Sequence, residues 1–590
     1  MNPGELSVRG ASPHTLAMQN FAVAQMFDDI ADYLEIAGEN SFKIRAYRRA
    51  AEAIAAYSEP IEDAAENGTL REIEGLGEAT TAKVQEFLAT GKVRYLERLR
   101  EEYPHSLLEL LKVPNLGPKK VAQLYRERNI TSVEQLISAI EQGQLTGLSG
   151  FGPKTIENLR QSIERLAQMT TRLPIGEALQ VAKNIVTALA ATPAAERVEI
   201  AGSLRRGCDT VGNINLVTTG RNASALVQAF VKLPQVLSVL EQGEQKATVC
   251  VRPGIEVHLT CASPQNFGAV WFQATGSVEH LATARQKAES HGLRLQADGL
   301  YRGDKSLAAA EEKDIYAALE LPYILPELRE NRGEWEAAEA GALPPLVEVA
   351  DIRGDLHTHS TWSDGSVTIR QMAQAMHERG YSYFAVTDHS KALAMTNGLN
   401  ATRLRDQAKE IAEVQAEFPG LKILRGVECD ILRDGTLDLD DEILHELDIV
   451  IGSVHSGFKF DEATQTARMI KAIEHPAVDI VAHPTGRILG GRPGYAVNVD
   501  ALIEAAHDTH TALEINSSER LDLNDIHART ARDAGVLLSI DSDAHSPRML
   551  PNVALGVLTA RRAWCAKANI LNTKTTDELL QWLHRPQAKK

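Results

Sequence analysis

From Asp351 onward, one short apolar run after another ends in a histidine or a carboxylate, and this pattern limits the fold more than any other. Seven strand-like runs alternate with helical stretches: 355–359, 383–389, 422–429, 448–455, 479–483, 512–516 and 536–541. Strand–helix alternation on this scale predicts a parallel sheet, as a barrel or an open sheet. In a parallel barrel the carboxyl ends of the strands share one rim, where active sites assemble. Six of the seven runs carry His, Glu or Asp at that end, and Glu514 lies inside the other.

The side chains gathered on that rim are His357, His359, Asp364, His389, Glu428, His455, His483, Asp543 and His545. Of the chain's 18 histidines, 13 lie after residue 350. The pairs His357/His359 and Asp543/His545 are spaced two apart, so in extended chain each pair projects to one side. Nine ligands suffice for roughly two or three divalent ions, waters included. Histidine and carboxylate without paired cysteine point to Mn²⁺, Zn²⁺, Fe or Mg²⁺ rather than a thiolate cluster. Such a cluster activates water near neutral pH and clamps both oxygens of an in-line phosphoryl displacement. His377, His445, His475, His507, His510, His527 and His584 fall on helical stretches and are expected at the surface. Glu514 is expected behind the ligands, orienting one of them. The region resembles a PHP domain (polymerase and histidinol phosphatase). That resemblance implies a distorted (β/α)7 barrel with a trinuclear site, catalytic as well as metal-binding, in which all nine ligand positions are filled.

Lys plus Arg number 62 against 79 Asp plus Glu, a net charge of −17. That is the wrong sign for a protein that coats nucleic acid by bulk charge, but local contacts to phosphates remain open. The five cysteines form no CxxC, which suits a reducing cytosol. No apolar run reaches the roughly 18 residues of a membrane span, and no signal-peptide core is present, so a cytoplasmic protein without a membrane partner is expected. The first fifteen residues are expected to form a loose leader.

From Asn20 to Leu173 apolar residues recur at spacings of three and four, which predicts helices. Three segments repeat one form, an apolar residue, a Gly-rich turn and then a helix: Gly75-Leu76-Gly77, Leu116-Gly117-Pro118-Lys119 and Gly150-Phe151-Gly152-Pro153-Lys154. Glycine lets such a turn approach a partner, and the next helix presents free N–H groups to an anion. These segments resemble helix-hairpin-helix motifs, which hold DNA backbones without reading sequence. The resemblance places Gly75, Gly77, Lys83, Gly117, Lys119, Gly150, Gly152 and Lys154 against DNA. Residues 42–49 form a basic helix with an aromatic stacker. Lys83 matches the position of a lyase lysine, a role that needs its pKa lowered.

Between 174 and 330, β-like runs (198–201, 214–217, 247–251, 255–259) mix with helices. Ala201-Gly202-Ser203-Leu204-Arg205-Arg206-Gly207 is followed by Gly212-Asn213-Ile214-Asn215. With the hairpins before it and the barrel after it, the chain resembles a bacterial family X DNA polymerase over nearly its full length. That resemblance places Ser203, Arg206 and Gly212 at a triphosphate. The family's three catalytic aspartates fall on Asn213, Asn215 and His258. An amide or imidazole is a poor substitute where two Mg²⁺ ions must be held. Asp209 and Glu256 are the acids left nearby, able to hold a weak Mn²⁺ site.

The expected domains are a lyase-like helical domain (1–95), a fingers-like domain (96–173), a nucleotidyltransferase-like palm (174–262), a thumb (263–335), a linker (336–350) and the PHP domain (351–585). The fold class is multidomain, α+β and α/β. The expected activity is metal-dependent 3′–5′ exonuclease or 3′-end phosphodiesterase, with cleavage at abasic sites as an extension. It would act on gapped or nicked DNA with Mn²⁺, in a monomer with a degenerate palm. A gap-filling DNA polymerase using a deoxynucleoside triphosphate (dNTP), a non-catalytic repair scaffold and a small-phosphate phosphatase are the alternatives.

Overall fold

The computed structural model describes residues 13–584, apart from 57–60, 74, 105, 112, 114–115, 146, 153, 161–171 and 394–395. Of the expected leader, residues 1–12 lie outside the described residues, whereas Pro13, His14 and Thr15 already belong to helix α1 (Pro13–Ala37). Pro153 of the third hairpin also lies outside them. The chain forms two compact units, Met1–Thr170 and Thr171–Lys590.

In the first unit α1 packs on α2 (Ser41–Ala56), burying Phe27, Ile30 and Leu34 at helical spacing. One apolar core runs from Val23 to Leu159. The three turns repeat one geometry. Leu76, Leu116 and Phe151 are buried, and each N–H donates to the carbonyl three residues back, Ile73, Val113 and Leu148, at 3.1, 3.0 and 3.1 Å. Helices α3 (Glu78–Thr90) and α4 (Pro118–Arg128) begin directly after Gly77 and Gly117.

The second unit opens with a five-stranded sheet: β1 (Arg197–Ala201), β2 (Asn213–Thr219), β3 (Val236–Gln242), β4 (Lys246–Val251) and β5 (Ile255–Ala262), in the order β1-β2-β5-β4-β3. Only β2 and β5 pair in parallel. Strict alternation puts Ile255, Val257 and Leu259 in the core and Glu256, His258 and Thr260 on the other face. Strand β3 was not among the predicted runs. It is a bulged edge strand with Leu237, Val239 and Leu240 exposed, so it lacks the period-2 burial that marks a strand in sequence.

The thumb core contains Phe272, Ile315, Tyr316 and Trp335. Buried Glu312 accepts from Arg329 at 2.7 and 3.1 Å and from Arg205 at 2.7 and 2.6 Å, tying palm to thumb. Burial would raise the Glu312 pKa, but the two guanidiniums outweigh it and hold it at about 2.

The second unit also holds a seven-stranded sheet, β6 (Gly354–Asp355), β7 (Tyr383–Val386), β8 (Lys422–Asp430), β9 (Ile449–Ser453), β10 (Ile480–Val481), β11 (Ala512–Asn516) and β12 (Leu538–Asp541). Its order is sequential and every pairing is parallel. A parallel bridge between Thr358 and Ala544 joins the first run to the last, giving a nearly closed barrel rather than an open sheet. Strands buried on both faces, such as β7, β9 and β11, suit a barrel wrapped in helices. No helix among the described residues is long and apolar enough to cross a membrane.

Candidate metal centre

Most of the strands are shorter than the predicted runs, and this places the ligands. His357 and His359 follow β6, His389 follows β7, His455 follows β9, His483 follows β10, and Asp543 and His545 follow β12. Glu428 lies near the end of β8. Asp364 reaches the rim because the chain folds back at Gly365, where a Cβ would sit 2.6 Å from the His359 carbonyl carbon. His483 (φ 30°) and Asp543 (φ 53°) take left-handed backbone, which for such residues costs about 1–3 kcal/mol and is kept where the surroundings enforce it.

All nine side chains meet. Three overlapping groups have ligand atoms within 4.8 Å of one another: His359, Asp364, His389 and His545; His357, His359 and Glu428; and His389, Glu428 and His455. Glu428 is the hub. Its Oε2 lies 2.8 Å from His389 Nδ1, 3.4 Å from His357 Nε2 and 3.6 Å from His359 Nε2, and its Oε1 lies 3.3 Å from His455 Nε2 and 3.0 Å from His483 Nε2. Asp543 Oδ1 stands 3.2 Å from His359 Nε2, and Asp364 Oδ2 3.4 Å from His389 Nε2.

The donors fit divalent cations. His357 Nε2, both ring nitrogens of His359, His389 Nδ1 and Glu428 Oε2 are buried without a hydrogen-bond partner. The 2.8 Å approach of His389 to Glu428 is therefore close but not aligned as a hydrogen bond. A buried polar atom left unpaired costs about 1–3 kcal/mol, so five of them converging on one spot mark a place for ions.

Burial opposes charge on every one of these groups, and the neighbours decide the outcome. Burial alone would lower the His389 and His455 pKa values, but Glu428 and the flanking aspartates raise them to about 10 and about 9. Burial and the neighbouring imidazoles press His359 down to about 3, and burial with Arg520 presses His483 down to about 4. Glu428, despite its burial, is held well below the carboxylate range by His389, His455 and His357.

Behind the ligands Glu514 accepts from His357 Nδ1 at 2.7 Å and from the His483 N–H at 2.7 Å, which fixes one imidazole and one backbone. Burial lifts the Glu514 pKa to about 7. Three supports were missed in the sequence. Asp388 gathers Ser360, Ser363 and Gln407, Asp430 accepts from His455, and Asn516 donates to Asp543 at 3.1 Å. Their signal was available, since each is a polar residue one or a few places from a ligand or Glu514 in an otherwise apolar run. Of the seven histidines expected at the surface, His475 and His527 are half-buried and the rest are exposed.

In the palm, Asn215 pairs in register with His258, and Asn215 Nδ2 donates to Asn213 Oδ1 at 2.8 Å. His258 Nδ1 lies 3.0 Å from Thr248 Oγ1. Arg206 is engaged internally: Nε donates to Glu330 at 2.9 Å and Nη1 to the Thr275 carbonyl at 2.6 Å. Ser203 is half-buried and Gly212 is exposed in the turn before β2. Asp209 and Glu256, the acids left near the palm positions, have separate neighbours. Asp209 Oδ2 accepts from Arg487 of the barrel at 2.9 Å, while Glu256 sits opposite Asn213.

In the first unit, Gly77, Gly117, Gly150 and Gly152 have nothing within 4 Å of an added Cβ, and Lys119 and Lys154 are exposed. Gly75 (φ 100°) packs against Ala53 and Arg49. Lys83 is half-buried, with Nζ 5.5 Å from the Tyr47 ring centre and 5.1 Å from that of Tyr95. Burial, helped by Lys43, lowers its pKa.

Four domain families match: a helix-hairpin-helix domain at residues 18–93, a SAM-like helix-hairpin-helix tandem at 107–165, the DNA polymerase beta thumb at 270–330 and the PHP domain at 355–518. A Bacillus subtilis protein described as DNA polymerase/3′-5′ exonuclease PolX is 39% identical over 568 residues, covering 95% of this chain and 99% of that one. This chain belongs to the bacterial family X DNA polymerases of the PolX type. A probable phosphatase of Shewanella sediminis is 30% identical over 39% of this chain and 93% of its own length. One from Caldanaerobacter subterraneus is 32% identical over 32% of this chain and 75% of its own. This chain therefore joins hairpin and thumb domains to a PHP domain.

Proposed function

We propose that this PolX protein is a DNA-repair nuclease in which the barrel hydrolyses phosphodiesters from 3′ ends, as a 3′–5′ exonuclease and 3′-end cleaner. One observation carries this reading: Glu428 and eight other His and Asp side chains meet on the barrel rim, and five buried ligand atoms on His357, His359, His389 and Glu428 lack a hydrogen-bond partner. The nine residues are assigned as both ligands and catalytic centre. Two or three manganese ions are the proposed occupants, with zinc, iron or magnesium as partial substitutes. When bound, such ions polarise a phosphoryl oxygen and activate water. The protein's share is to hold the imidazoles in place through Glu514 and Asp430 and to keep bulk water from the buried inner ligands.

The remaining assignments belong to the same proposal. Domain limits fall at 95/96, 173/174, 262/263, 335/336 and 350/351. The hairpin glycines, Lys119 and Lys154 hold the backbone of gapped or nicked DNA, and the protein acts as a cytoplasmic, nucleoid-associated monomer. Lys83 contacts phosphate, and its lowered pKa supports lyase chemistry on an abasic sugar. Asn213, Asn215 and His258 are degenerate catalytic positions, and Ser203, Arg206 and Gly212 a remnant nucleotide site. Arg206, spent on Glu330 and Thr275, supports this, because a guanidinium so engaged is not free for a triphosphate.

A gapped duplex labelled at its 3′ and 5′ ends, incubated with Mn²⁺, tests the reading. Stepwise loss from the 3′ label, abolished by His357→Ala, is the expected result. Templated addition of a dNTP by His483→Ala protein would instead restore the polymerase reading.

A further inference from the structure

One cation on the barrel rim belongs to none of the groups above. Arg520 lies in the loop after β11, with its side chain 20% exposed. Among the described residues its guanidinium makes no hydrogen bond; its one ion-pair contact, Asp543 Oδ2, stands at 3.9 Å from Nε, and buried Asp522 also feels its charge. A guanidinium drawn out of water and left unpaired loses solvation without compensation unless a ligand completes it. Its fork of N–H groups matches the two free oxygens of a phosphodiester.

The loop that carries Arg520 is pinned. Asn516 and Asp522 exchange backbone hydrogen bonds at its base, at 2.6 and 3.3 Å. Buried Asp522 accepts from the Thr485 N–H and Oγ1, at 2.9 and 3.0 Å, in the turn just past His483. Arg487 Nε donates to the Arg520 and Leu521 carbonyls at 3.0 and 3.1 Å. The far side of that same guanidinium, Nη1, donates to palm Asp209 at 2.9 Å. A palm carboxylate thus clamps the arginine that fixes the backbone of Arg520.

We propose that Arg520 binds the scissile phosphodiester beside the metal centre, and that Asp209 of the palm positions it through Arg487. The inference rests on the nuclease reading and adds to it a phosphate-binding residue and a task for the palm. Asp209 and Arg487 act through Arg520 and are positioning residues.

The test uses full-length protein with manganese and 3′-labelled single-stranded DNA. Arg520→Ala is expected to cut about 10²–10³-fold more slowly with unchanged manganese content. Guanidinium chloride at millimolar levels is expected to restore part of that rate, and none of the rate lost in His357→Ala. Inorganic phosphate is expected to raise the melting temperature of the wild-type protein but not that of Arg520→Ala. Asp209→Asn is expected to lower kcat about tenfold with KM unchanged, and to add nothing in the Arg520→Ala background. Cutting by Arg520→Ala within about threefold of wild type, or loss of its manganese, would overturn the assignment. Additive losses in the double variant would remove the palm from it. If the wild-type protein fails to cut, the nuclease reading falls, and the phosphate-induced melting shift still decides whether Arg520 is an anion site.

Discussion

Around Glu428, five imidazoles share one buried carboxylate, so protons and metal ions compete for the same atoms. His389 and His455, at about 10 and about 9, carry protons at pH 7 in the metal-free protein. A cation must displace them, so manganese uptake is expected to release protons and to tighten as pH rises toward those values. Calorimetric titrations in two buffers of different ionisation enthalpy measure this directly, and equal heats in both would contradict it. Glu514→Gln keeps the size of the His357 partner and removes its charge. It is expected to weaken manganese about 10–100-fold, read by metal-buffered titration. Away from the barrel, Glu312 shows the opposite sign of linkage. Its folded pKa of about 2 lies below the ordinary 4.5, so its contribution is complete above the ordinary value and fades as pH falls toward 2. That contribution is about 3 kcal/mol by linkage. Glu312→Gln, which strands Arg205 and Arg329, is expected to cost about 3–5 kcal/mol in denaturant unfolding at pH 7, and less below pH 3.

At the scale of elements, β2 and β5 carry the positions proposed to have lost the palm's acids. Two carboxylates at the Asn213 and Asn215 positions would repel unless a cation lay between them, whereas two amides satisfy each other at 2.8 Å. Asn213→Asp with Asn215→Asp is therefore expected to destabilise the protein by about 1–4 kcal/mol without divalent ions. Millimolar Mn²⁺ should return the melting temperature, and a doubly substituted protein as stable as wild type in chelator would disprove it. The barrel was legible because its strands are apolar runs, six of the seven with a chemically distinctive end. In the palm four of the five strands were legible as apolar runs, β5 with strictly alternating burial; exposed β3 left no such trace. The candidate ligands stood out because unusual residues recur at strand ends, with Asp364 in the loop beyond the first. Asp388, Asp430 and Asn516 carried only a weaker signal, a polar residue close to a ligand or to Glu514, and for them as for Arg520 only three dimensions show which point inward. The destination of Asp209 was equally hidden, because its partner Arg487 lies in a different domain.

Over the whole molecule, acidic composition and DNA binding are reconciled by location. The net charge of −17 is an average, while the hairpin turns offer backbone N–H groups and exposed Lys119 and Lys154. Replacing both lysines by alanine is expected to weaken DNA binding and to flatten the log–log salt dependence by about two units if each neutralises one phosphate. Fluorescence anisotropy across a salt series tests this, and an unchanged slope would place DNA elsewhere. The unfilled space beside Gly77, Gly117 and Gly152 carries a further consequence. A methyl group added there would meet no other atom within 4 Å, so alanine at these sites should cost at most about 1 kcal/mol, the loss at a helix N-cap, and yet show as lost retardation in a native gel. On the proposed reading, bareness at those corners serves the visitor rather than the host.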